Sequence, residues 1–102
     1  MSVEPLRIVH APGVEPDHPL TRVDAGDASE LAQAVAAAAA EGIAVMAAPD
    51  DLASDVDEWI ALVSVLVVNG VAAIETGDPR RARRIFDTID AIRAGSTEVL
   101  RR

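Results

Sequence analysis

From residue 27 to residue 95 the sequence alternates between helix-length segments and short runs of small or branched apolar residues. "DASELAQAVAAAAAEG" leads into "IAVMAA", "PDDLASDVDEWIALVSVLVVNG" leads into "VAAIE", and "PRRARRIFDTIDAIR" closes the series. A strand that reaches the next strand of its sheet through a helix pairs with it in parallel, by a right-handed crossover. This alternation sets the fold class as α/β.

Local signals agree with the alternation. Asp27 is placed to cap the first helix, and Glu30 three residues on completes a capping-box pattern. Gly42 supplies the left-handed residue that stops it. The alanine run 36–40 has high helix propensity and little side chain to bury, so this helix can lie close to what it covers. Pro49 closes the strand of residues 43–48. Asp50, Asp51, Asp55, Asp57 and Glu58 crowd the start of the second helix, as the positive end of the helix dipole favours. Its second half, 59–68, is apolar almost all the way round, with only Ser64 interrupting. A helix without a polar face is buried on more than one side. Asp78 caps the third helix, and Pro79 occupies its first position, where no amide hydrogen is needed. On that helix Ala82, Ile85, Phe86, Ile89 and Ile92 share a face, with Arg80, Arg83, Arg84 and Asp87 opposite. Gly95 is expected to end it, with the tail 96–102 fraying or extending it.

Upstream, "LRIVHA" (6–11) suits a buried strand, and the prolines and glycine of "APGVEPDHP" forbid regular structure after it. "LTRVDAG" (20–26) alternates apolar and polar side chains and reads as a second short strand at an edge. The expected architecture is one domain over 1–102: strand, Pro-rich loop and second strand over 1–26, then αβαβα over 27–102. The expected sheet has three or four strands, mainly parallel, with three helices, as in a half-barrel or a flavodoxin-like fragment. Such a sheet needs cover on both faces, and three helices barely provide it. Something else is expected to cover the remainder.

Composition narrows the function. With no cysteine, a disulfide framework, a thiol nucleophile and a thiolate metal site are all ruled out. Only Trp59 and Phe86 are aromatic, so the core must be built from Val, Ile, Leu and Ala. The net charge of −8 argues against wholesale binding to nucleic acid or to anionic membrane. The charge is segregated: residues 80–102 balance at +4 and residues 1–79 at −12, an asymmetry that can steer a partner or orient self-association. Met1 is followed by acid and prolines where a signal peptide needs an apolar run, and the apolar stretch 60–68 is too short to span a bilayer. A soluble, cytoplasmic chain is expected.

From residue 57 to residue 93 the sequence resembles the C-terminal end of dihydropteroate synthase and related pterin-binding (β/α)8 barrels. The matching pieces are "EWIALVSVLVVNG", "VAAIE", "TGD" and "PRRARRIFDTIDAIR": an apolar helix ended by glycine, a buried strand, a turn with aspartate and a final amphipathic helix. In that family the last strand ends in an Arg and a His flanking one residue, followed by Asp, which hold an anionic group of the substrate. Here those positions read Glu75, Thr76, Gly77 and Asp78. An acid in place of the Arg repels the anion. The chain also has no lysine, and the strands bearing the family's pterin-binding residues are not recognisable. Synthase activity is therefore not expected. What the resemblance does imply is self-association, because helices near the C-terminus make that family's dimer interface.

Three residue groups invite a chemical reading. The acids 50–58 lie where α/β folds place their sites, but dipole and capping roles account for them first. His10, Glu15, Asp17, His18 and Asp24 have no spacing that matches a metal geometry, so no metal or cofactor is expected. "RRARR" (80–84) lacks interleaved aromatics for base stacking, and Arg83 can pair with Asp87, so a solvated charged face is favoured over nucleic-acid contact. The leading expectation is a non-catalytic association domain, a homodimer or a subunit of a larger assembly. Its contact is expected through Trp59, Leu62, Val63, Leu66, Ile85 and Ile89. The alternative is a small-molecule-binding or degenerate pterin-type domain using Asp50, Asp51, Glu75, Thr76 and Asp78 at the strand ends.

Overall fold

The structure is a computed structural model that describes residues 5–100. In chain order it has β1 (Arg7–His10), β2 (Thr21–Val23), α1 (Ala28–Ala40), β3 (Val45–Ala47), a single 3-10 turn (Asp50–Leu52), α2 (Val56–Val68), β4 (Ala73–Thr76) and α3 (Pro79–Leu100). The four strands form one open sheet in the order β1-β4-β3-β2. β2, β3 and β4 are parallel, whereas β1 runs antiparallel to β4, with Val9 opposite Ile74 and Arg7 opposite Thr76.

The sheet is thus mixed, not mainly parallel as the alternation suggests. The reason lies in the first connection. Residues 11–20 contain Pro12, Pro16 and Pro19 and no helix, so β1 has no crossover to return it in the parallel sense. The loop instead carries the chain from one edge of the sheet to the other.

Each α/β crossover moves one strand in the same direction, β2 to β3 to β4. With the usual right-handed sense, α1 and α2 therefore fall on one face. α3 packs beside α2 and over β4 and β1, completing a single helical layer with α2 in its centre. A flavodoxin-like arrangement has helices on both faces; here the second sheet face has none among the described residues.

The core lies between the layers. Val9, Val45, Ala47 and Ile74 from the strands meet Leu31 and Val35 of α1, Trp59, Leu62, Val63, Leu66 and Val67 of α2, and Ala82 and Phe86 of α3. All are nearly or fully buried. The strand residues alternate as a sheet covered on one side requires: Val45 and Ala47 are buried while Met46 between them is half-buried.

The helix ends follow their sequence signals. The Asp27 carboxylate accepts the Glu30 amide at 2.8 Å, and the Asp55 carboxylate accepts the Glu58 amide at 2.8 Å. Glu30 and Glu58 reach back to the amides of Gly26 and Ser54, at 3.1 and 2.8 Å. Two reciprocal caps of the same kind thus start α1 and α2. Gly42 and Gly70 stop these helices at φ +80° and +94°. Gly95 does not stop α3, which runs on to Leu100; its φ is not positive, and a glycine inside a helix costs only about 1 kcal/mol against alanine. Of the tail, Arg101 and Arg102 lie outside the described residues. No described helix is long and apolar enough to cross a membrane.

Candidate functional site

At the C-terminal ends of β3 and β4 the chain builds a polar cluster around one carboxylate. Asp50 follows Pro49 at the end of β3 and opens the 3-10 turn. Its Oδ1 accepts the Trp59 indole Nε1–H at 2.7 Å and the Thr76 hydroxyl at 2.8 Å, and its Oδ2 accepts the Gly77 amide at 2.9 Å. Thr76, fully buried, passes the chain on: its Oγ1 accepts the Asp78 amide at 3.0 Å. Asp78 in turn accepts the Arg81 amide at 3.3 Å and pairs with the Arg81 guanidinium at 3.4 Å. An open cleft of ≈ 330 Å³ lies over this cluster, lined also by Asp55 and Val56.

Of the expected ligand residues, Asp50, Thr76 and Asp78 come together here, and Asp51 and Glu75 do not. Asp51 is exposed in the 3-10 turn and does not line the cleft. Strand alternation turns Glu75 to the open sheet face, where it accepts a hydrogen bond from Arg22 at 2.9 Å. Arg22 spans β3 to make this bond and also pairs with Asp24 at 3.1 Å. Both acids raise the guanidinium pKa above its ordinary value, Glu75 foremost.

The chemistry open to the cleft is limited. The Asp50 carboxylate is engaged by three donors and ties β3, α2 and β4 together, which is the work of a structural anchor. Among the described residues no three histidine or acidic side chains are grouped to hold a metal ion. The His10–Asp24 segment supplies no such group.

The expected contact residues are also placed. Trp59, Leu62, Val63 and Leu66 lie in the core of the single chain, and Ile85 and Ile89 are half-buried against it. α2 nevertheless has a second apolar stripe that the sequence reading did not separate from the first. Ile60, Val65 and Val68 face outward and are exposed, and Ala61 and Ser64 lie between them, whereas the exposed Val56 lines the strand-end cleft. The spacing holds the signal: 59, 62, 63 and 66 form one i, i+3, i+4, i+7 stripe, so 60, 61, 64, 65 and 68 must lie opposite.

Two apolar grooves flank this ridge. One, of ≈ 480 Å³, runs between α1 and α2 over Ala28, Ala32, Ala61 and Val65, with Glu58 at its rim. The other, of ≈ 300 Å³, runs between α2 and α3 over Ile60, Ser64, Ile85 and Ile89, with Arg81 and Arg84 at its rim. The Arg83 guanidinium sits 6.0 Å from the centroid of the Phe86 ring, and the described ion pairs do not include one with Asp87.

Neither family models, nor curated proteins, nor solved structures give a match to this chain.

Proposed function

We propose that the domain works by association: a non-catalytic α/β module whose helical layer docks on a second protein surface. One observation carries this reading. α2 is the middle helix of a layer that faces solvent, yet from residue 59 to residue 68 it presents no charge outward. Ile60, Val65 and Val68 are 38, 45 and 58% exposed. A solvent-facing helix ordinarily carries polar residues there, and contiguous exposed apolar surface marks a contact. The bare sheet face is a poorer candidate, because docking on it would require desolvating the Arg22–Glu75 pair that crosses it.

The test is sedimentation equilibrium and a solubility measurement on the wild-type chain and on Val65→Glu. Val65 lies outside the core, so the variant keeps its fold by circular dichroism. The expected outcome is a lower mass, a higher solubility, or both. If neither changes, the helical face is ordinary surface and the reading falls.

A second reading rests on the convergence of Asp50, Thr76 and Asp78 with Arg81 in one cleft. It makes the domain a small-ligand binder at its strand ends, a place consistent with descent from a pterin-type barrel. A thermal-shift panel of pterins, phosphates and divalent cations addresses it. A ligand at a hundredfold excess over its Kd stabilises by about 2.7 kcal/mol, and a flat response across the panel removes the reading.

A further inference from the structure

We infer that the occupant of the helical face is a second copy of this chain, with the two α2 helices parallel and astride a twofold axis that runs along them. The inference rests on the association reading above and adds the partner and its orientation.

The grooves on either side of the α2 ridge are apolar along their floors but opposite at their rims, Glu58 on the α1 side and Arg81 and Arg84 on the α3 side. A partner of single charge sign matches one rim and opposes the other. A second copy matches both, provided left and right are exchanged while the helix ends stay aligned. A twofold axis lying in the contact plane along α2 performs that exchange: the α1 side of each protomer meets the α3 side of its partner. The axis perpendicular to α2 in the same plane sets α3 against α3 and α1 against α1 with the helix ends reversed, so no Glu58–Arg84 pair forms.

Arg84 and Glu58 fit this pairing, and the two pairs they form must outweigh the repulsion between Asp57, exposed on the crest one turn before Ala61, and its own copy. Arg84 is exposed and makes no ion pair among the described residues. Glu58 is also exposed; one of its oxygens accepts the Ser54 amide, and a carboxylate has further lone pairs for a guanidinium. The ridge presents no unsatisfied donor to the contact, since the Ser64 hydroxyl donates to the Ile60 carbonyl of its own helix at 2.7 Å. Ala61 and Ser64 at the crest are small, which lets the two helix axes approach closely.

Because the chain has no cysteine, single cysteines report the orientation cleanly. In the parallel arrangement each crest residue faces its own copy. Ala61→Cys and Val68→Cys, roughly 10 Å apart along the helix, should then each form a disulfide-linked dimer under mild oxidation. Gln33→Cys, exposed on α1, should not. In the antiparallel arrangement neither crest cysteine links to itself and only a mixture of the two crosslinks, which overturns the inference.

Charge exchange gives a second, independent measurement. Arg84→Glu and Glu58→Arg should each weaken self-association on the order of tenfold, and the two together in one chain should restore it. Glu58→Gln, which keeps an acceptor for the Ser54 amide, separates lost charge from a lost cap. A wild-type dimer dissociated by Val65→Glu but indifferent to both exchanges keeps the association reading and overturns this geometry. A wild-type chain that stays monomeric while Val65→Glu raises its solubility also keeps that reading, and it excludes the second copy as partner.

Discussion

Asp50 ties three separate segments of the chain together through one carboxylate. Three donors from α2, β4 and the turn after β4 meet on its carboxylate, and each is part-buried. Replacing it with alanine leaves the Trp59 indole, the Thr76 hydroxyl and the Gly77 amide without an acceptor. Asp50→Ala should therefore lose about 2–4 kcal/mol of stability, read by urea denaturation with Trp59, the only tryptophan, as the fluorescent reporter. Gly70 is the second sensitive position. It sits at φ +94°, and an added Cβ would stand 3.2 Å from the Ala39 Cβ. Gly70→Ala should cost about 1–2 kcal/mol, through left-handed strain and the crowding of α2's exit against α1. A cost near zero would mean that this turn relaxes freely.

Among the elements, α2 shows how little separates core from contact. Leu66 has no accessible surface and Val65 is nearly half exposed, one residue apart on opposite sides of the helix. Leu66→Asp buries a carboxylate without a partner and should unfold the domain, whereas Val65→Glu should leave its thermal midpoint within a few degrees. Comparing melting curves for the pair separates the two stripes directly. The caps of α1 and α2 offer a like-for-like comparison. Asp27→Ala and Asp55→Ala each remove one side-chain acceptor from a first turn and should each cost about 1 kcal/mol. α3 has a different link to its neighbour: the Arg93 guanidinium donates to the Val68 carbonyl at 2.9 Å, satisfying the C-terminal end of α2.

For the whole molecule, the decisive feature is a layer count of two. Among the described residues, one sheet and one layer of helices leave two large faces without cover. The sheet face is closed in part by Arg22 reaching across Met46 to Glu75. The helical face has its apolar ridge and two grooves open to solvent. With a net charge of −8, two copies repel at long range, while the basic start of α3 offers local attraction to the acidic start of α2. The association constant should therefore depend on both charge and apolar contact. The charge exchanges and Val65→Glu address these two contributions separately.

Periodicity and punctuation were legible in the sequence because they act over one to four residues. Asp27 and Glu30 mark a helix start, Gly42 a helix stop, and Asp78 with Pro79 another start, wherever the chain later goes. The alternation of residues 20–26 suggested a short edge strand without fixing it; the structure has one at the sheet edge, over Thr21–Val23. What decided the rest acts across the sheet. The direction of β1 depends on where a proline-rich loop sets it down beside β4. Whether Glu75 joins Asp50 or Arg22 depends on which face of β4 the helices cover. The all-apolar sequence of α2 stated that two of its sides are buried or meant to be. Only the tertiary structure assigned Trp59, Leu62, Val63 and Leu66 to the inner side and Ile60, Val65 and Val68 to the outer, because a helix takes its phase from the sheet it packs on.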